Sequence, residues 1–199
     1  MTSELVMTTR PVTRIAKNKT AAVADYDKLM ETLTTPEGAT LMFSDGARRN
    51  RKGAVGWVWI EGKGLITARR GIAIHGEYNS VKIELAAIKC ALDNAVMRKV
   101  KKCTLLTDCI PAIRTIDLMQ DEGVAAGIWD IMVPTINQLE EVTTQWIPGN
   151  IGVEGNEAAD KVAGEHIQEN VQLGRWIGWD KVADNGGRAR NLRSEEWTT

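Results

Sequence analysis

The stretch VTTQWIPGNIGVEGNEAADKVAGEHIQE, residues 142–169, decides the fold. Its first part, Val142–Ile147, has the composition of a strand, and its last part, Glu154–Glu169, has the apolar spacing of a helix. A loop containing Pro148 and several glycines separates the two. The stretch therefore predicts a strand that leads through a tight loop into a helix, as in a sheet with helices packed on its faces.

Upstream of this stretch, the patterns predict a meander of strands followed by alternating helices and strands. The predicted strands are 39–45, 54–61, 65–76 and 103–108, and the predicted helices are 81–99, one beginning near Pro111, and 128–141. Gly62-Lys63-Gly64 has the composition of a hairpin turn. This order predicts an α/β fold, a mixed sheet flanked by helices in a single domain.

The chain divides into three parts by composition. Residues 1–38 are predicted to be an N-terminal extension with a short helix over 23–33, and residues 39–168 hold the dense apolar patterns of a domain. Residues 169–199 are rich in Gly, Arg, Asn and Trp, and we predict a C-terminal extension without a core of its own. Its tryptophans suit docking on the main domain or on a partner, and stacking on bases is the alternative.

Composition and charge exclude several classes of protein. The 199 residues carry a formal net charge of -1, so nucleic-acid binding would depend on local basic patches. The sequence shows neither a long apolar run nor a secretion signal, which predicts a protein without a membrane partner. The three cysteines lack the spacing of a metal site and are typical of thiols in a reducing compartment. We therefore expect an intracellular protein of cytoplasm or nucleus, not a secreted one.

Acidic residues occur where apolar side chains would be expected. These residues are Asp45, Glu84, Asp108 and Asp160. Unpaired carboxylates in such surroundings are costly and raise one another's pKa, and a divalent cation such as Mg²⁺ or Mn²⁺ would offset that cost. The alternative is structural, since an Asp after a strand often caps a helix, and Asp108 precedes the helix near Pro111. Spacing alone leaves both interpretations open.

The motifs around these acids resemble a known family. They are FSDG at 43–46, IELAA at 83–87, TD at 107–108 and WIPGNIGVEGNEAAD at 146–160. In this order they resemble type 1 ribonuclease H, most closely the ribonuclease H domains of retrotransposon reverse transcriptases. The resemblance covers about residues 39–168 and implies a ribonuclease H-like fold with a five-stranded mixed sheet.

The resemblance implies a metal-dependent endoribonuclease that cleaves the RNA strand of RNA/DNA hybrids, leaving 5′-phosphate and 3′-hydroxyl ends. The implied metal ligands and catalytic acids are Asp45, Glu84, Asp108 and Asp160. Two Mg²⁺ ions about 4 Å apart, with Mn²⁺ as the expected substitute, would flank the scissile phosphate. One ion would be held by Asp45 and Asp160, and the other by Asp45, Glu84 and Asp108.

Substrate contacts are expected next to the first acid. By the resemblance, the backbone of Gly46 and Ala47 would read 2′-hydroxyl groups of the RNA strand. Basic residues that follow would contact phosphates: Arg48, Arg49, Arg51 and Lys52. A solvated turn is the alternative for these four. A second basic patch over 98–102 would contact phosphates or complement a helix end.

Some positions depart from the family's pattern. Asn150 stands where the family usually has a histidine that helps move protons, and Asn cannot titrate. Cys109 stands where the family usually has Ser. Asn150 stays a candidate catalytic residue, in a protein expected to act slowly. Two alternatives remain: a weakly active or inactive RNase H-like module that binds nucleic acid or protein, and a related metal nuclease for other RNA. A reverse transcriptase or another chain is the candidate partner for the C-terminal tail.

Overall fold

The computed structural model describes residues 6–32, 40–50, 52–61, 64–75, 79–119, 126–167 and 175–176. The strands are β1 (Val12–Arg14), β2 (Thr40–Arg49), β3 (Lys52–Glu61), β4 (Leu65–His75), β5 (Lys102–Thr107), β6 (Glu141–Trp146) and β7 (Arg175–Trp176). The helices are α1 (Lys19–Thr32), α2 (Ser80–Met97), α3 (Ile110–Leu118), α4 (Ala126–Ile136) and α5 (Glu154–His166). Among the described residues, no helix is both long and apolar enough to cross a bilayer.

The strands form one mixed sheet in the order β1-β6-β5-β2-β3-β4-β7. Strands β2, β3 and β4 make an antiparallel meander, whereas β5 runs parallel to both β2 and β6. The α/β architecture and the mixed sheet are confirmed, but the expected five strands become seven. The two additional strands, β1 and β7, come from the predicted extensions and pair with the edges β6 and β4, where free backbone groups are available.

Helices pack on both faces of the sheet. On one face, α2 covers a core that includes Met42, Trp57 and Trp59, and α3 and α4 extend it. On the other face, α5 packs over Phe43 and Val58. Helix α1 joins α5 on that face, where the ring of Tyr26 contacts the ring of Phe43 edge-on with centroids 6.0 Å apart. The N-terminal extension therefore contributes to the main core.

Helix boundaries differ from the predicted ones for local reasons. Helix α2 begins after Asn79, whose side-chain oxygen accepts a hydrogen bond from the Lys82 amide at 2.8 Å. It ends at Met97 because Lys99 adopts a left-handed backbone, with φ of 59°. Helix α4 ends at Ile136, five residues before the predicted end, because the chain turns there into β6. Helix α1 begins at Lys19, earlier than predicted.

Strand β2 is longer than predicted. The polar sequence after Asp45 led us to end the strand there, yet β2 continues to Arg49 and pairs with Lys52 of β3. Arginines fit this position because the end of the hairpin is exposed. Asp45 therefore lies inside a strand, and the basic residues that follow it belong to a β2–β3 hairpin rather than to a loop.

Candidate active site

Asp45 and Asp108 come together through the parallel pairing of β2 with β5. Phe43 pairs with Leu106 in the register of these strands, so the acids two residues further along each chain lie side by side. Asp45 is buried, and Asp108 is half-buried just beyond the end of β5. The helix-cap alternative for Asp108 is wrong, because the N-cap of α3 is Cys109.

Glu84 reaches the cluster from α2, on one face of the sheet. A Cβ on Gly46 would lie 2.8 Å from the backbone carbonyl carbon and oxygen of Ile83, so only glycine lets β2 and α2 approach this closely. The close approach places the next residue, Glu84, beside Asp45, as the electrostatic coupling of the two carboxyls shows. Glu84 is half-buried there.

Asp160 reaches the cluster from α5, on the opposite face. A Cβ on Gly56 would lie 2.5 Å from the Ala159 carbonyl oxygen and 2.6 Å from the Ala163 nitrogen, both backbone atoms of α5. Gly56 is the register partner of Asp45, so α5 rests on the sheet beside that acid. The exposed Asp160 lies beside Asp45, and its charge raises the pKa of that carboxyl group. Sequence patterns did not single out Gly56.

The four acids thus form two overlapping sets that share Asp45. Carboxylate oxygens of Asp45, Glu84 and Asp108 lie within 4.8 Å of one another, a spacing that suits a shared cation. Asp160 stands outside this set and contacts Asp45. The structure therefore brings together all four acids that the sequence singled out.

The electrostatics of the cluster favour a bound cation. Burial, with the negative charges of Asp108 and Asp160, raises the pKa of Asp45 to about 8. Burial, with the charges of Asp45 and Asp108, raises the pKa of Glu84 to about 9, although hydrogen bonds from the Gly46 amide oppose both shifts. The Glu84 Oε2 atom is buried and has no hydrogen-bond partner among the described residues. Hard oxygen donors of this kind fit Mg²⁺ or Mn²⁺.

Without bound metal, the protein should lose stability as the pH rises from about 5 to 9. The pKa of a carboxyl group is near 4 in the unfolded chain but about 8 for Asp45 and about 9 for Glu84 in the fold. The folded state therefore holds more protons in this window, and the free energy of unfolding should fall by about 2 kcal/mol or more. Urea unfolding in EDTA at pH 5, 7 and 9 measures it. A flat profile would contradict the raised pKa values.

Asn150 lies in the loop between β6 and α5. The loop reaches the cluster through Gly149, which leaves no room for a side chain beside the Asp108 carboxylate. Asn150 is exposed and adopts a left-handed backbone with φ of 56°, a conformation that Asn and His tolerate better than most residues. Asn150 therefore directly follows Gly149, the residue that lies against the Asp108 carboxylate. Gly149 is a further position that the sequence analysis missed.

Cys109, the departure next to Asp108, is half-buried at the N-cap of α3 and makes no side-chain capping bond. Burial, together with the nearby charges of Glu84 and Asp108, raises the pKa of its thiol to about 11, although a backbone hydrogen bond from Ala112 opposes the shift. The thiol therefore stays protonated at neutral pH and adds no charge to the cluster.

The basic residues predicted to contact substrate lie beyond Asp45 on the β2–β3 hairpin. Arg48, Arg49 and Lys52 are exposed there, Ala47 is half-exposed, and Arg51 lies outside the described residues. The Gly46 amide is directed at the carboxylates of the cluster. The exposed basic side chains are therefore accessible to the phosphates of a nucleic acid bound at the cluster.

The second basic patch lies elsewhere. Lys101 and Lys102 stand at the start of β5, about 20 Å along the strand from Asp108. Their amines lie 3.6 and 3.4 Å from carboxylates of Glu140 and Glu141. This patch is at the far end of the sheet from the acids and does not border the candidate site.

The fold and the site define the class of the protein: an α/β domain with an acidic cluster, of the kind that binds divalent cations, where the parallel strands of a mixed sheet end. Residues 37–168 match the RNase H family. The match covers more than half of the chain, which therefore belongs to the RNase H family. The predicted resemblance to type 1 ribonuclease H is confirmed.

The chain is also similar to a viral polyprotein. The chain is 26% identical over 155 residues to the Pol polyprotein of equine infectious anemia virus (isolate 1369). The match covers 77% of this chain and 12% of the polyprotein, so the chain spans about an eighth of that relative's length.

One similar solved structure is the N-terminal RNase H domain of a Mycobacterium tuberculosis protein, solved as a fusion with maltose-binding protein. It superposes on this chain with a TM-score of 0.51 at 18% identity, and the match covers 65% of this chain and 93% of that one. RNase H1 from Halobacterium salinarum gives a TM-score of 0.49 at 23% identity, covering 67% and 100%. At these identities the superposition on the M. tuberculosis domain shows the fold alone.

Proposed function

We propose that this protein is a metal-dependent endoribonuclease that cleaves the RNA strand of RNA/DNA hybrids. The observation that carries the proposal is the cluster itself. Carboxylate oxygens of Asp45, Glu84 and Asp108 lie within 4.8 Å of one another, and Asp160 contacts Asp45 from the opposite face of the sheet. The acids lie in the motifs that resemble the RNase H family, to which the chain belongs.

The proposed roles follow from the two overlapping sets. Asp45, Glu84 and Asp108 would hold one Mg²⁺ ion, and Asp45 and Asp160 would hold the other, with Mn²⁺ as a substitute. Bound divalent cations supply an activated water and offset the negative charge that develops at the phosphate. Asp45 belongs to both sets, and hydrogen bonds from the Gly46 amide favour the charged forms of Asp45 and Glu84.

The substrate side of the proposal rests on the hairpin. Arg48, Arg49 and Lys52 are exposed a few residues beyond Asp45, and with Arg51 they would contact phosphates of the hybrid. Backbone groups of Gly46 and Ala47 would contact 2′-hydroxyls, the groups that distinguish RNA from DNA.

A panel of labelled substrates tests the proposal. We expect cleavage of the RNA strand of an RNA/DNA hybrid with Mg²⁺ or Mn²⁺, no cleavage in EDTA, and 5′-phosphate ends on the products. RNA/RNA, DNA/DNA and single strands serve as controls. Cleavage of other RNA in preference to the hybrid would favour the related metal nuclease, and binding without cleavage would favour the inactive module.

Asn150→His should raise the single-turnover cleavage rate about 10-fold, which corresponds to about 1.4 kcal/mol of barrier. A histidine here can carry a proton that Asn cannot, and its ring tolerates the left-handed backbone. If the imidazole acts as a base, the gain should fade below pH ~6.5. Rates from pH 6 to 9 measure it, with Asn150→Gly as a control that keeps the backbone and lacks a titrating group. If the His variant is no faster at any pH, Asn150 is a structural or substrate contact.

The remaining proposals concern the setting of the domain. The three cysteines lack the spacing of a metal site, a pattern typical of a reducing compartment, and we propose an intracellular location. We also propose a reverse transcriptase or another chain as the partner of the C-terminal tail. Strand β7, near the start of the tail, pairs with β4 of the domain. Residues 177–199, with Trp179 and Trp197, lie outside the described residues.

A further inference from the structure

An N-terminal arm, residues 6–19, carries an excess of positive charge. Every charged residue between positions 5 and 24 is basic: Arg10, Arg14, Lys17 and Lys19. All four are exposed, and within the described part of the chain none of them forms an ion pair. The arm lies outside the region that matches the family, which begins at residue 37.

The arm is fixed to the domain by specific contacts. The Asn137 side chain accepts a hydrogen bond from the Thr8 amide at 2.8 Å and donates one to the Val6 carbonyl at 2.7 Å. The Thr9 hydroxyl donates to the Leu139 carbonyl at 2.7 Å, and the Thr13 hydroxyl donates to Asp117 at 2.8 Å. These bonds and the pairing of β1 with β6 hold the backbone that carries the basic residues at a defined position.

The arm runs toward the acidic cluster. Strand β1 is parallel to β6, with Arg14 paired to Gln145, and β6 is parallel to β5. The end of β1 therefore lies at the same edge of the sheet as Asp108 and the Asn150 loop, two strand spacings or about 10 Å across from β5. Beyond β1, Lys19 at the start of α1 and Ile151 in the Asn150 loop both line a groove of about 450 Å³.

Basic side chains thus flank the acids on both sides along this edge. The β2–β3 hairpin lies on one side and the arm on the other, with β5 and β6 between them. Each strand of a duplex carries a phosphate about every 3.4 Å of helix axis, so a span of about 10 Å along that axis corresponds to about three phosphates. We infer that Arg14, Lys17 and Lys19, with Arg10 behind them, bind backbone phosphates of the nucleic acid whose scissile bond lies at the cluster; this inference rests on the proposed function.

The exposed strip of the arm, rather than the groove beside it, is the proposed contact. The groove is lined by Lys19 but also by Asp27 and Glu154, and this acidic lining would repel a phosphate. Arg14 and Lys17 precede the groove along the chain and are not among the residues that line it. The inference therefore concerns a surface contact with one strand and not an enclosed anion site.

Salt-dependent binding tests the inference. The triple variant Arg14→Gln, Lys17→Gln, Lys19→Gln removes three charges, and Lys99→Gln, Lys101→Gln, Lys102→Gln is the matched control at the far end of the sheet. Both are made in an Asp45→Asn background, so that the labelled RNA/DNA hybrid stays intact during titration with Mg²⁺ present. We expect the arm variant to lower the slope of log K against log salt concentration by about 2 to 3, and the control to change it little.

The outcomes separate this inference from the proposed function. If the arm variant has the same salt-dependence slope as its Asp45→Asn parent and the wild type cleaves the hybrid, the inference is overturned and the proposed function stands. A reduced slope in a protein that cleaves no substrate would support the arm contact and overturn the nuclease. A slope reduced equally by arm and control variants would show non-specific attraction and overturn the inference. Melting temperatures of the variants verify folding, and the single variant Lys17→Gln, expected to lower the slope by about 1, repeats the test with less perturbation.

Discussion

Asp45→Asn should slow cleavage of an RNA/DNA hybrid by about 10³-fold or more, which corresponds to about 4 kcal/mol of barrier. Asp45 is the one acid that belongs to both sets of the cluster, since it lies within 4.8 Å of the Glu84 and Asp108 oxygens and also contacts Asp160. Its replacement removes a donor from each proposed ion. Single-turnover rates with saturating Mg²⁺ measure the loss. The exposed Asp130, changed to Asn, provides the control and should leave the rate unchanged.

The Asp45→Asn variant should still fold, so a loss of activity can be attributed to the missing metal ligand rather than to unfolding. The amide has nearly the shape of the carboxyl group but removes a buried negative charge from beside Asp108 and Asp160. In EDTA at pH 8 to 9, the variant should therefore unfold at the same urea concentration as the wild type or a higher one. Added Mg²⁺ should stabilise it less than the wild type. A variant that keeps more than a tenth of the rate would exclude the shared role of Asp45.

The acids were predictable from the sequence because a charge in an apolar pattern is costly unless something compensates it. Asp45, Glu84 and Asp108 each interrupt such a pattern, and the structure places all three together. Local patterns could not fix where β2 ends, since Gly46 looked like the start of a loop. Gly46 instead lies against the backbone of α2 at Ile83, a contact between residues far apart in the sequence.

The edge strands were missed for a related reason. Strand β1 has three residues and β7 has two, too few for a periodic pattern, and both form by pairing with an existing edge. The basic arm is a run without acids between positions 5 and 24, but the sequence analysis did not single it out. Its relation to the site depends on the register of β1 with β6, which composition does not reveal.

Gly56→Ala should both destabilise the protein and slow it, because Gly56 sets the distance between β3 and α5. The added Cβ would lie 2.5 Å from the Ala159 carbonyl oxygen and 2.6 Å from the Ala163 nitrogen, and these backbone atoms can move only if α5 moves. Overpacking of this kind costs about 1 to 3 kcal/mol of unfolding free energy. Helix α5 also carries Asp160, so a shift of about 1 Å would displace that acid from Asp45 and cost about 10²-fold in rate.

The same helix supplies the control for this variant. Gly164 lies in α5 with nothing within 4 Å of the position of its Cβ, so Gly164→Ala should raise the free energy of unfolding by about 1 kcal/mol and leave the rate unchanged. Rates are compared well below both melting temperatures, so that unfolded protein does not contribute. If Gly56→Ala is destabilised but cleaves at the wild-type rate, the approach of α5 to β3 does not position Asp160. If the cleavage rates of Gly56→Ala and Gly164→Ala fall by similar amounts, the effect belongs to helix α5 as a whole rather than to the contact at Gly56.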